Sequence, residues 1–211
     1  MNSLPYQDFE INYSYIASAL NMYRARGFTR IEVPWFVHDF AVHATMPTHI
    51  EPYETKSPTD VLGFPVGSAE QSFIEMMERQ ELSPGKYVAA TPCIRNESTV
   101  DYLHRKWFMK VELIDTLPKT EPLAVAGGVD QMIEDALWFF RGIVPTGELK
   151  VVWQSDQNCW DILSPTGIEL GSYGARSWNG HSWIYGTGCA EPRLSQALKL
   201  LKNLEKEAHP I

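Results

Sequence analysis

The chain is predicted to fold as an antiparallel β-sheet flanked by helices, an α+β design, and three observations carry that expectation. Two apolar stretches, residues 86–95 and 106–115, are separated by a polar loop and read as a hairpin. Further strand-like segments follow in quick succession between residues 149 and 188. Helical patterns lie at 12–26, 68–80, 121–142 and 190–207, without the regular strand–helix alternation that a parallel doubly wound sheet needs.

Each element has a local reason. Tyr15, Ile16, Leu20 and Tyr23 recur at helical spacing before Gly27, which ends the helix. In 28–37, Ile31, Val33 and Trp35 alternate and predict a strand, with Pro34 marking an edge or special position. Residues 39–66 carry four prolines and two histidines with little periodicity and predict a long ordered loop. Ser83, Pro84 and Gly85 form a turn into the first hairpin strand. The central helix presents Val125, Val129, Met132, Ile133, Ala136, Leu137 and Phe140 on one face. Strands are expected at 149–154, 160–163, 167–176 and 181–188, and the last helix turns Leu194, Leu198, Leu201 and Leu204 inward.

Composition excludes several classes. With 211 residues the chain suits one domain, 1–211, able to bury its own core. No apolar run approaches the ~20 residues of a membrane span, and the N-terminus has no secretory pattern. A net charge of −8 argues against an extended DNA-binding surface. The basic clusters are short: His104-Arg105-Lys106, and Lys199 with Lys202. Three cysteines, Cys93, Cys159 and Cys189, form no CxxC pair, and their odd number points to a reducing cytoplasm.

Three segments could carry chemistry. Arg95-Asn96-Glu97 ends one hairpin strand, and Phe108, Lys110 and Glu112 alternate on the returning strand. That combination offers a planar fork for a phosphate and a ring face for a purine. Read as pattern alone, a solvated strand face with ion pairs is an equal explanation. Gly186-Thr187-Gly188 runs into a helix whose first turn holds Arg193. Glycines permit close backbone approach to a ligand and a helix start favours anions, although a tight turn beside a surface arginine would look the same. Glu169 precedes the turn of Gly171-Ser172-Tyr173-Gly174, and such a carboxylate is either a Mg²⁺ ligand or an ion-pair partner.

Together these segments resemble motifs 2 and 3 of class II aminoacyl-tRNA synthetases. Cys93-Ile94-Arg95-Asn96-Glu97 and Trp107-Phe108-Met109-Lys110-Val111-Glu112-Leu113 are similar to motif 2. Gly186-Thr187-Gly188 with Arg193 is similar to motif 3, and the first helix with the Pro34 segment to motif 1. Gly67-Ser68-Ala69-Glu70 resembles the segment that holds the substrate amino group in seryl- and threonyl-type enzymes. The resemblance implies a stand-alone catalytic core that activates an amino acid with ATP and Mg²⁺. Arg95 and Arg193 would be catalytic. Arg95, Glu97, Phe108, Glu169, Ser172, Gly186, Gly188 and Arg193 would bind ATP, and Glu169 the magnesium. Glu70 and Glu112 would hold the substrate ammonium, with Gln154 and Asp161 as further amino-acid-site candidates beside Trp153, Asp156 and Trp160, the tryptophans reading more readily as core.

The resemblance further implies a homodimer, formed through the motif 1 helix, and a tRNA or carrier-protein acceptor. The chain leaves no room for an anticodon-binding domain, which favours an amino acid:carrier-protein or biosynthetic ligase over a housekeeping enzyme. A non-catalytic amino-acid or ATP sensor is the other alternative. Motif 3 departs from the family in Glu191-Pro192, which places an extra acid beside Arg193. His38, His43 and His49 read as surface or structural residues before metal ligands, and the cysteines as small buried hydrophobes before zinc ligands.

Overall fold

The computed structural model describes residues 11–46, 52–56, 62–97, 100–117, 125–145 and 147–208. Helix α1 (Tyr13–Ala25) is capped by Asn12, whose side chain accepts from Ser14 N at 3.0 Å. The strand expected over 28–37 divides into β1 (Thr29–Arg30) and β2 (Phe36–Val37), which join different sheets. Pro34 lies between them, where its ring removes a ladder donor and the chain changes direction. The long loop also holds regular structure, α2 (Asp39–His43), β3 (Thr55–Lys56) and β4 (Leu62–Pro65), and strands β2-β4-β3 form a small sheet.

Helix α3 (Ala69–Glu78) starts at the N-cap Ser68. The hairpin is β5 (Gly85–Ile94) with β6 (Trp107–Thr116), in continuous register from Gly85↔Thr116 to Ile94↔Trp107. Then come α4 (Val125–Arg141), β7 (Lys150–Gln154), β8 (Cys159–Leu163), β9 (Glu169–Trp178), β10 (His181–Glu191) and α5 (Arg193–Ala208). The main sheet has seven strands in the order β1-β5-β6-β10-β9-β8-β7, antiparallel except for the β1–β5 pair.

The two faces of this sheet do different work. One face packs on α1, α4 and α5 through an apolar core that includes Tyr23, Leu113, Phe140, Ile184 and Leu194. On the other, Phe73, Ile74, Ile114 and Trp183 form a second cluster under α2, α3 and the small sheet. Leu194, Leu198 and Leu201 turn inward as expected, whereas Leu204 is exposed. Trp153 is also exposed, on the sheet's edge strand β7. No helix among the described residues is long and apolar enough to cross a membrane.

Candidate active site

A cavity of about 240 Å³ opens on the sheet face away from α1, α4 and α5, between the strands and the start of α3. Its lining is charge-balanced: Glu70, Glu97, Glu112, Glu169 and Glu191 stand against Arg95, Arg105, Lys110, Arg176 and Arg193. The whole chain carries −8, so the cavity is less acidic than its surroundings.

The β5–β6 hairpin supplies one end. Arg95 N donates to Lys106 O at 2.8 Å and closes the hairpin loop. The Arg95 side chain is fixed from two sides: Nε donates to Gly67 O at 2.9 Å, and the guanidinium lies 5.2 Å from the centre of the Phe108 ring. Among the described residues, neither terminal nitrogen has a hydrogen-bond acceptor at the cavity wall. Gly67 N in turn donates to Gln71 Oε1 at 2.8 Å, so the first turn of α3 sets the position of Arg95. In the hairpin loop, Asp101 Oδ1 accepts from Leu103 N and His104 N, both at 2.7 Å. The His104 ring and these backbone donors hold the exposed Asp101 carboxyl down to about 2.

Glu169 and Arg193 meet on the opposite wall, with Arg193 Nη1 donating to Glu169 Oε1 at 2.8 Å. A cation in the first turn of a helix is unfavourable against the macrodipole, and Glu169 offsets it. Ser172 Oγ donates to Asp161 Oδ1 at 2.5 Å and lies 3.3 Å from Glu169 Oε1. Glu169 and Ser172 are three residues apart and would face opposite ways in a regular strand. The register shift opposite Ile162 and Leu163 brings both to the cavity.

The inner end is built on Glu70 and Glu112. Ser68 Oγ donates to Glu112 Oε2 at 2.5 Å, and Lys110 Nζ approaches the same oxygen at 2.8 Å. Burial pushes the Glu112 carboxyl above the ordinary glutamate value of 4.5, Lys110 opposes this, and Glu70 adds to it. Both Glu70 oxygens are engaged: Trp183 Nε1 donates to Oε1 at 2.7 Å and Arg176 Nη1 to Oε2 at 2.5 Å. Arg176 also lies 4.1 Å from the centre of the Tyr185 ring.

The site therefore gathers Arg95, Glu97, Phe108, Glu169, Ser172, Arg193, Glu70 and Glu112 around one cavity. Four candidates stand elsewhere. Asp161 is buried behind Ser172, and Gln154 lies on the neighbouring strand β7, opposite Cys159. Burial raises the Asp161 carboxyl, and the Ser172 hydrogen bond opposes that. Gly186 and Gly188 do not line the cavity. A Cβ on Gly186 would sit 2.5 Å from Tyr173 Cδ1 and 2.8 Å from Met132 Sδ, and one on Gly188 would sit 2.8 Å from Tyr23 Cε2. Packing against Tyr173 of β9, Val111 of β6 and the helix residues Met132 and Tyr23 excludes side chains there.

Glu191, the departure from motif 3, is fully buried. Its carboxylate accepts from Ser195 N (3.1 Å), Ser195 Oγ (2.7 Å) and Asn12 N (3.2 Å), which ties the starts of α5 and α1 together. Cavity residues to which the sequence assigned no site role are Ser68, Lys110, Arg176 and Tyr185. Lys110 and Ser68 were visible in the motif strings, but the Glu70–Arg176 pair spans 106 positions and has no local signal.

Of the histidines, His38 Nδ1 bonds Glu75 Oε1 at 2.6 Å, His43 Nδ1 lies 3.0 Å from Asp39, and His49 lies outside the described residues. The cysteines are buried and unpaired. Cys159 borders the cavity, where burial pushes its thiol up to about 11, so it is not a thiolate nucleophile near neutral pH. Among the described residues no group of three or more His, Cys, Asp or Glu could hold a metal by itself.

A seven-stranded, mostly antiparallel sheet flanked by five helices is the fold of the class II aminoacyl-tRNA synthetase catalytic core. Solved structures of three such enzymes share it. Cytoplasmic serine-tRNA ligase of Naegleria fowleri, in complex with AMP, is 16% identical with a TM-score of 0.69, over 86% of this chain and 46% of that one. Seryl-tRNA synthetase of Pyrococcus horikoshii, complexed with ATP, is 19% identical with a TM-score of 0.65, over 89% and 49%. Pyrrolysyl-tRNA synthetase of Desulfitobacterium hafniense is 15% identical with a TM-score of 0.63, over 87% and 67%. The matched region is thus about half the length of the two seryl enzymes. No known family profile matches the sequence, and no curated protein matches it.

Proposed function

We propose that the protein binds ATP and activates an amino acid as its adenylate. The observation that carries this reading is the pair of pinned guanidiniums, Arg95 held by Gly67 and Arg193 held by Glu169, on two walls of one cavity that also contains the Phe108 ring. Two fixed cations with free donors suit a polyphosphate, and the ring suits a purine. The N. fowleri and P. horikoshii structures of this fold contain AMP and ATP, which supports the same ligand class here.

The substrate carboxylate would attack the α-phosphorus in line, forming a carboxyl oxygen–phosphorus bond as the bond to pyrophosphate breaks. The attacking carboxylate is already ionised, so no general base is required. Arg95 would stabilise the charge that grows on the α-phosphate oxygens, and Arg193 would hold the leaving pyrophosphate. Glu97 would contact the adenine edge. The substrate ammonium would sit on Glu112, whose Oε1 is the acceptor not taken by Ser68 or Lys110.

Glu169 spends only Oε1 on Arg193 and Ser172, so Oε2 is an available oxygen donor. One carboxylate together with nucleotide phosphates fits how Mg²⁺ usually binds. A bound magnesium would neutralise phosphate charge.

ATP–pyrophosphate exchange across the proteinogenic amino acids tests the proposal. Exchange with one or a few of them should appear, and Arg95→Ala should lower it by about 100- to 1,000-fold, the loss typical of a transition-state charge donor. Intact ATP binding with no exchange from any amino acid would instead assign the chain to the sensors. Transfer to a tRNA or carrier protein, and a homodimer through α1, belong to the same proposal. A pull-down of the acceptor and sedimentation velocity would test them.

A further inference from the structure

We infer that the inner end of the cavity selects an acidic amino acid, with Arg176 gripping the side-chain carboxylate of the substrate. The inference rests on the activation reading for which group enters that end, but its chemistry comes from Arg176 itself.

Glu70 and Glu112 are both buried acids at the inner end, and they are not equivalent. Among the described residues Glu112 keeps one oxygen unengaged and can accept an ammonium. Glu70 spends both oxygens on Trp183 and Arg176. Its role is to hold Arg176 in place, which makes it a positioning residue. Arg176 is then fixed twice, by the Glu70 carboxylate along one edge and by the Tyr185 ring at 4.1 Å against its face. Of its five N–H donors one is used by Glu70, the side chain is 37% exposed, and it lines the cavity. A guanidinium immobilised in this way has already lost its rotamer freedom and presents a fork matched to a carboxylate.

Its position favours the substrate's side chain over its reacting carboxylate. Arg176 lies four residues along β9 from Ser172, about 13 Å at ~3.3 Å per residue. Through Trp183, Arg176 is level with Thr116 at one end of β6, whereas Arg95 follows the Ile94↔Trp107 pair and Arg193 follows the Glu191↔Met109 pair at the other end. An α-carboxylate must reach that other end to attack, and the ammonium is taken by Glu112. The group left to meet Arg176 is the side chain. A cationic side chain is repelled there, an apolar one strands the guanidinium's donors, and a carboxylate satisfies them.

Calorimetric titration of L-aspartate, L-glutamate, L-serine, L-alanine and L-lysine into the full chain, in parallel with pyrophosphate exchange, tests this. The expected result is preference for an acidic amino acid in both assays. In Arg176→Gln its binding should weaken about 10- to 100-fold, as for loss of a charged hydrogen-bonding partner, while ATP binding stays within about twofold. Arg176→Lys keeps a cation opposite Glu70 and guards against misfolding. It should recover part of the affinity but not the preference between dicarboxylic and neutral amino acids. An equal response of both variants to serine or alanine, or exchange driven by a neutral amino acid with the acids silent, would overturn the inference and leave activation standing. Arg176-dependent binding of an acidic amino acid without exchange would do the reverse.

Discussion

Two faces of one sheet set this molecule's organisation, and strand β10 shows the contrast residue by residue. Trp183, Tyr185 and Thr187 look toward the cavity side, where Trp183 holds Glu70 and Tyr185 backs Arg176. Ile184, Gly186 and Gly188 look toward the helices, where space is so tight that two positions admit no Cβ. At Gly188 the register slips, so Cys189 stays in the helix-side core while Ala190 borders the cavity. One face is shaped by volume and the other by charge. Substitutions should therefore separate cleanly into those that cost stability and those that cost binding.

The sharpest break of that separation is Gly186→Ala. The added methyl would meet the ring of fully buried Tyr173, whose hydroxyl is tied to Thr187 O at 2.6 Å and cannot swing away. Overpacking of this kind costs about 3 kcal/mol. Denaturant unfolding should show that loss, while ATP affinity per folded molecule is unchanged. A normal midpoint with weakened ATP binding would return Gly186 to the ligand.

On the opposite face, Glu112→Gln should raise the amino-acid KM about tenfold or more, because a charged hydrogen bond to the ammonium is lost. Burial raises the Glu112 carboxyl, so the proton that disables it is taken up at a higher pH than an ordinary glutamate would need. Affinity for the amino acid should fall as pH drops, with a midpoint above 4.5. That inflection should vanish in Glu112→Gln. An unchanged pH profile would remove Glu112 from the ammonium site.

These two residues also show what a sequence can convey. Glu112 was legible because it sits with Arg95, Phe108 and Lys110 on one hairpin, and alternation alone places such residues on a common face. Gly186 and Gly188 were legible as special, but the rings and side chains packed against them were not. A glycine signal says that a side chain is excluded and is silent on whether a ligand or a helix excludes it. Arg176 was invisible, since its partner arrives from α3 by tertiary packing. The bulges that turn Glu169 with Ser172, and Thr187 with Ala190, toward the cavity leave no pattern of period two to find. Pro34 signalled a special position, but not that the chain leaves one sheet for another.

Glu191 tests the boundary between the faces. It borders the cavity, yet its oxygens are committed to Ser195 and Asn12. Glu191→Ala should cost about 1–2 kcal/mol, as for a lost helix cap that also leaves buried donors unpaired. Exchange at saturating substrates should hold near wild type when measured well below the melting temperature. A large loss of turnover with intact stability would make the acid part of the chemistry.

The smallest effect belongs to Trp153. It lies on the edge strand β7 beside Trp160, at a ring separation of 5.1 Å, and is 44% exposed. Neither the helix-side core nor the cavity includes it. Trp153→Gln should change stability by no more than about 0.5 kcal/mol and leave exchange unaltered, because a half-exposed edge residue loses little buried area. Thermal melts at two protein concentrations sharpen the test. A variant that loses stability only at the higher concentration would show that β7 is covered by another copy of the chain, since a self-associating native state alone makes the melting temperature depend on concentration. Equal behaviour at both would leave the two faces of the sheet, and not its edge, as the surfaces that matter.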